Sequence, residues 1–127
     1  KNIYDTNVDV YAPCALGATL NDITIPKLKC SIVAGAANNQ LAKEYIHDKM
    51  LMKYNILYAP DFLINAGGLI NVYAELKGFS KEQVKKKTEN IFDTTIAILK
   101  KSKNENISSQ TAALEIAKER VFKHQRA

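Results

Sequence analysis

Ser31-Ile32-Val33-Ala34-Gly35-Ala36-Ala37-Asn38-Asn39-Gln40, and further on Ile56-Leu57-Tyr58-Ala59-Pro60, enclose a helical stretch, and this arrangement decides the fold. The runs Ser31–Ala34 and Ile56–Ala59 are short, apolar and rich in β-branched or aromatic side chains. Gly35 ends one and Pro60 the other, as expected of strands buried on both faces. Between them, Gln40 to Tyr54 can place Leu41, Tyr45, Met52 and also Leu51 on one helix face. A strand–helix–strand run of this length predicts a right-handed parallel crossover. Upstream, Val8-Asp9-Val10-Tyr11-Ala12 reads as another strand, stopped by Pro13. The link from there, through Asn21-Asp22-Ile23-Thr24 and Ile25-Pro26-Lys27-Leu28, permits only a short helical turn.

Beyond Pro60 the pattern is helical. Asn65 to Leu76 opens with Gly67-Gly68 and continues apolar, and Gly78 is its natural stop. Ser80 and Gln83 form an S-x-x-Q capping box. Val84, Thr88, Ile91, Phe92, Thr95, Ile98 and Leu99 follow at helical spacing until Lys103-Asn104-Glu105-Asn106 breaks the pattern. Ser108 or Ser109 can cap a last helix that turns Ala112, Ala113, Ile116, Ala117 and Val121 inward. A parallel sheet of three short strands has two open edges, and parallel sheets are normally covered. The expectation is therefore that chain preceding Lys1 completes it.

Bulk properties narrow the function classes. The 127 residues suffice for one domain with a core, and 46% hydrophobic with 24% charged residues is ordinary for a soluble protein. The net charge of +5 invites a nucleic-acid reading. However, Lys85-Lys86-Lys87 and Lys100-Lys101-Lys103 lie on a predicted amphipathic helix with no aromatic residues between them, which reads as a solvated face without a stacking platform. Nucleic acid is excluded as a partner on that ground. Cys14 and Cys30 lack metal-ligand spacing and are too few for a disulfide framework, which fits a reduced cytoplasmic protein. No apolar run approaches the ~20 residues needed to span a bilayer, so no membrane partner is expected. His47 is expected on an exposed helix face beside Asp48, and His124 in a basic tail that frays. Neither completes a metal site, and no Ser-His-Asp or Cys-His arrangement follows from spacing.

The residues that can carry chemistry stand at the ends of the strands. They are Pro13-Cys14-Ala15-Leu16-Gly17, Gly35-Ala36-Ala37-Asn38-Asn39-Gln40 and Asn65-Ala66-Gly67-Gly68. Open parallel sheets bind ligands beyond the carboxyl ends of their strands. Small residues there let a flat ligand approach the backbone, and amides offer both donor and acceptor to a neutral carboxamide. The plainer readings are that Gly35, Gly67 and Gly68 serve turns, that Asn38, Asn39 and Asn65 cap helices, and that Asp61 is a turn residue after Pro60.

Three segments, Asp9 to Ala18, Gly35 to Gln40 and Tyr58 to Val72, have the order and spacing seen in the leucine, valine and phenylalanine dehydrogenases. The chain resembles that superfamily, which includes the glutamate dehydrogenases, from about Ile3 to Val121. The resemblance implies an α/β fold: the C-terminal half of a Rossmann-like NAD-binding domain over residues 1–77, then two long helices over 78–127 packing on it. It implies reversible NAD-dependent oxidative deamination of a branched-chain L-amino acid, leucine-like, to its 2-oxo acid and ammonia, in a cytoplasmic homo-oligomer. The catalytic lysine, its assisting aspartate and the glycine-rich phosphate fingerprint belong to regions outside this chain, so the fragment alone is expected to be inactive and to work with its own N-terminal domain. By the same resemblance, Cys14, Ala15 and Leu16 border the cofactor ribose and ring. Asn38 and Asn39 reach the nicotinamide ribose and the substrate's polar end, Asn65 holds the carboxamide, and Gly67 and Gly68 let the next helix start close by. Leu69 and Val72 are three residues apart on one helix face and line the substrate side-chain pocket beside Asn39. Glutamate-specific relatives usually place a hydroxyl where Val72 stands, and leucine-specific ones commonly have valine where Leu69 stands. The alternatives are a phenylalanine or valine dehydrogenase, or a non-catalytic nucleotide- or small-molecule-binding domain.

Overall fold

The computed structural model describes the backbone of residues 2–125 and the side chains of residues 2–123, so the side chain of His124 lies outside the described residues. β1 (Val10–Tyr11), β2 (Ile32–Val33) and β3 (Leu57–Tyr58) pair in parallel in the order β1-β2-β3. Val10, Ile32 and Leu57 share one register line, and Tyr11, Val33 and Tyr58 the next. The regular strands are shorter than the apolar runs, yet cross-strand bonding continues past them. Val8 N–H donates to Lys29 O at 3.3 Å, and Ala59 N–H to Val33 O at 2.9 Å.

Because side chains alternate across a strand, the register separates two faces. Tyr11, Val33 and Tyr58 are buried with Leu20, Ile25, Leu51 and Ile56 in the main core. On the other face Val10 and Leu57 remain 47% and 44% exposed. The expectation of strands buried on both faces thus holds for one face only. The covering elements are α1 (Glu44–Lys53) and a 3₁₀ turn at Ile25–Lys27, the short turn expected between the first two strands.

α1 corrects two further expectations. Its buried residues are His47, Asp48 and Leu51, whereas Tyr45 and Met52 are exposed. Polar partners explain the inversion. His47 Nδ1 accepts the Lys43 N–H at 2.8 Å, and its Nε2 lies 3.4 Å from Asp22 Oδ1, close but without hydrogen-bond geometry. Asp48 accepts from Lys49 N–H at 2.6 Å, Ser108 Oγ at 2.5 Å and Thr111 Oγ1 at 3.3 Å. A polar side chain can be buried at little cost when the interior satisfies it.

α2 (Asp61–Ile64) is a short helix before α3 (Gly67–Lys77), which ends at Gly78 with φ +65°. α4 (Lys81–Glu105) starts on the expected capping box, with both Ser80–Gln83 bonds formed, and stops at Asn106 in the left-handed region. α5 (Ser109–Gln125) is capped by Ser108, whose Oγ accepts the Thr111 N–H at 3.1 Å. Leu63, Ile98, Ala112 and Ala113 form a second core joining α2, α4 and α5, while Ala117 and Val121, expected to face inward, are exposed. Ser109 Oγ donates to Tyr58 O at 2.5 Å and Gln110 Nε2 to Glu44, which tie α5 to β3 and α1.

Gly35 marks the tightest packing. A Cβ built there would stand 2.2 Å from Pro13 O and 2.5 Å from Pro13 N, which are backbone atoms with no room to give. At Gly67 a Cβ would meet nothing within 4 Å. Gly35→Ala should therefore destabilise the protein by about 3 kcal/mol or more, or prevent folding, whereas Gly67→Ala should stay within roughly 1 kcal/mol of the parent. Thermal unfolding of the two variants side by side checks this, and equal effects would show that Gly35 does not lie against the Pro13 backbone.

Candidate functional site at the carboxyl ends of the strands

β1 runs into Pro13–Ala18, β2 into Gly35–Gln40 and β3 into Ala59–Ala66. The first two loops lie backbone on backbone. Ala37 N–H donates to Pro13 O at 2.9 Å, Ala18 N–H to Asn39 O at 2.7 Å and Leu20 N–H to Gln40 O at 2.9 Å. A Cβ on Gly17 would meet Asn38 O at 2.9 Å, so glycine is required there by the neighbouring backbone. Asn39 takes φ +52°, a left-handed conformation that asparagine tolerates better than most residues.

The asparagines do not cap the helices that follow them. α1 begins after Lys43, beyond Asn38 and Asn39. α3 begins after Ala66 without a side-chain cap. Instead Asn65 Nδ2 donates to Asn38 Oδ1 at 2.5 Å, joining the loops after β2 and β3. Asn65 Oδ1 and Asn38 Nδ2 have no other partner among the described residues, so the pair presents one acceptor and one donor side by side. Cys14, Ala15 and Leu16 are exposed on the adjoining loop, and Cys14 Sγ accepts the Ala36 N–H at 3.5 Å. The structure therefore brings Cys14, Asn38, Asn39 and Asn65 to one rim, with Ala15 and Leu16 at its edge.

Gly67 and Gly68 open α3 beyond this rim, with open space where their side chains would stand. Leu69 and Val72 are 74% and 55% exposed. Leu69 lines a cleft of about 520 Å³ between α3 and α4, together with Leu63, Ile70, Tyr73 and Ile91; Val72 is not among its lining residues.

Two residues of the rim had no local signal. Gln40 is fully buried, and its Nε2 donates to Gly35 O at 2.6 Å and to Ala37 O at 2.9 Å, closing the loop on itself. Asp61, read as a turn residue, accepts the Gln40 N–H on Oδ2 at 2.8 Å. These bonds connect residues far apart in the chain or buried by the fold, which no periodicity or turn pattern records. Burial, with the Asp61 carboxylate beside it, pushes the Tyr58 phenol well above its ordinary range.

An exposed amide donor and acceptor on a floor of small residues can hold a flat group that bears a neutral carboxamide. Among the described residues no group of three His, Cys, Asp or Glu could hold a metal ion, and no helix is long and apolar enough to cross a membrane. Buried Ser108 and Asp48 form a pair, but His47 is turned to Lys43 and does not complete a triad.

Residues 1–127 match the Glutamate/Leucine/Phenylalanine/Valine dehydrogenase family. The chain belongs to this family. Enzymes of the family are NAD(P)-dependent. The chain is 50% identical over 125 residues to an L-tryptophan dehydrogenase of Nostoc punctiforme, covering 98% of this chain and 35% of that protein. It is 52% identical over 119 residues to a leucine dehydrogenase of Thermoactinomyces intermedius, covering 94% of this chain and 32% of that protein. The crystal structure of the Nostoc enzyme superposes with a TM-score of 0.93 over 98% of this chain and 37% of that one. A hetero-hexameric glutamate dehydrogenase from Thermus thermophilus, 22% identical, shares the fold with a TM-score of 0.76 over 98% of this chain and 32% of that one. The chain thus spans about a third of the length of these amino acid dehydrogenases.

Gln40 offers a direct test of the rim's construction. In Gln40→Glu a carboxylate would face two carbonyl oxygens in the buried loop, destabilising the protein by about 3–5 kcal/mol at pH 7. Its folded pKa would lie above the unfolded value of ~4.3, so the charge penalty is absent below that value and returns as pH rises through the folded pKa; the protonated carboxyl, with one donor for two carbonyls, recovers only part of the parent's stability. Urea unfolding at pH 7 and pH 4 should show the deficit shrinking in acid. A variant as stable as the parent at pH 7 would place Gln40 outside the core.

Proposed function

We propose that this chain is the nicotinamide-side region of an amino acid dehydrogenase that reversibly deaminates an L-amino acid with an apolar, branched side chain to its 2-oxo acid and ammonia. The observation that carries this reading is the Asn38–Asn65 amide pair exposed at the ends of β2 and β3. On this reading residues 1–77 are half of a Rossmann-like domain and 78–127 are helices packing on it. NAD, when bound, accepts hydride from the substrate α-carbon. The chain's own part is to bind and orient. Asn65 holds the carboxamide and fixes which ring face meets the substrate. Asn38 and Asn39 reach the ribose and the substrate's polar end, and Cys14, Ala15 and Leu16 border the ring. Gly67 and Gly68 let α3 begin beside the cofactor.

Leu69 and Val72 face the substrate side chain. Both are apolar, and a γ-carboxylate desolvated against them would lose several kcal/mol with no partner in return. A second reading, an aromatic substrate, draws on the 50% identity to an L-tryptophan dehydrogenase, which stands beside 52% to a leucine dehydrogenase. The general base and the phosphate-binding turn are supplied by an N-terminal region, in a cytoplasmic homo-oligomer. The chain by itself should show no turnover.

Two measurements on the full-length protein test this reading. A panel of leucine, isoleucine, valine, phenylalanine, tryptophan and glutamate should rank glutamate last by a wide margin, and a preference for glutamate would refute the pocket assignment. Asn65→Ala should cost roughly 1–3 kcal/mol of transition-state stabilisation, read as kcat/KM, with the melting temperature nearly unchanged. A falling melting temperature with unchanged kcat would make Asn65 a purely structural residue.

A further inference from the structure

Asp61 stands where the chain leaves β3, and its carboxylate reaches across the rim to the loop after β2. Oδ2 accepts the Gln40 N–H at 2.8 Å and Oδ1 accepts the Phe62 N–H at 2.6 Å. Its own N–H donates to the Tyr58 hydroxyl at 3.3 Å, which fixes the residue to the end of β3. One side chain therefore bonds both segments that end in the amide pair. Gln40 follows Asn38 closely, and Asp61 shortly precedes Asn65.

Among the described residues only two hydrogen bonds join residues 35–40 to residues 60–66: Asp61 to Gln40, and Asn65 to Asn38. The second is the exposed pair that must meet the ligand. The first is partly buried and charge-assisted, and bonds of that kind are the stronger. Gln40 cannot shift alone, because its side chain holds Gly35 O and Ala37 O. Whatever fixes Gln40 fixes the loop that carries Asn38 and Asn39.

We propose that Asp61 is a positioning residue: by holding the Gln40 amide it sets the spacing of Asn38 and Asn65, and so the grip on the nicotinamide carboxamide. This rests on the reading of the rim as the nicotinamide site. Without the Asp61 bond, the two loops are tied only by the amide pair itself. The nicotinamide end then meets a rim that is no longer preorganised, while the adenosine end, held by other parts of the full-length protein, is unaffected.

The test uses the full-length dehydrogenase and two ligands, NADH and ADP, which lacks both the nicotinamide and the ribose that carries it. Asp61→Ala should weaken NADH about tenfold, as loss of one charge-assisted hydrogen bond allows, and leave ADP within about twofold. Asp61→Asn keeps an oxygen acceptor for the Gln40 N–H and should restore most of the NADH affinity. Unchanged NADH binding in Asp61→Ala, equal loss of both ligands, or no recovery in Asp61→Asn overturns the proposal. If Asp61→Ala does not fold, Asp61→Glu, which displaces the oxygens by a methylene, takes its place, and parent-like NADH affinity there overturns it. Asn65→Ala separates the two claims. If it leaves the NADH to ADP ratio unchanged, the nicotinamide assignment fails. If it changes that ratio and Asp61→Ala does not, only the positioning role fails.

Discussion

The loop after β2 lies directly on the loop after β1, and the absence of a side chain at Gly35 permits it. Close backbone approach of this kind lets Ala37 and Ala18 donate across to Pro13 and Asn39. The positions of Asn38 and Asn39 follow from those bonds. So does the burial of Gln40, which lies under the same loop and satisfies carbonyls that would otherwise be left unpaired. Everything the rim can do depends on two loops being held at backbone contact distance.

Polar burial, as much as apolar burial, holds the rest together. Asp48 joins α1 to the start of α5 through two hydroxyls, and Ser109 joins α5 to β3 through a strand carbonyl. Such bonds add little net energy, but breaking one leaves a buried group unpaired, which costs more than the bond contributes. They select one arrangement of helix against sheet, where the small side chains Ala112 and Ala113 would pack almost as well in several. Directional contacts thus fix the orientation that the apolar cores leave open.

The rim itself divides its work by residue type. Small residues give a floor on which a planar group can lie, and amides give direction without charge. The rim's titratable side chains are the Cys14 thiol and the half-buried Asp61 carboxylate, and the latter is occupied by two backbone N–H groups. Such a surface is suited to holding and orienting a neutral ring rather than to moving protons, in keeping with a chain that spans about a third of its relatives' length.

The sequence by itself determined the order of the strands and long helices, the stop of α3, the two ends of α4, and the family. These are local matters: Gly78 supplies the left-handed stop, Ser80 and Gln83 close a capping box within one turn, and the segments at the strand ends keep their spacing along the chain. Only the tertiary structure decided which face of α1 is buried. Periodicity favoured Tyr45 and Met52, but Asp48 goes inside because Ser108 and Thr111 donate to it there, and His47 because Lys43 N–H donates to its Nδ1. The same holds for Asn38 and Asn65, which read equally well as caps until the fold placed one against the other. Asp61 read as a turn because what distinguishes it, the Gln40 amide, comes from another loop. A side chain's local habit is written next to it in the chain, whereas its partner across the fold exists only once the chain has closed.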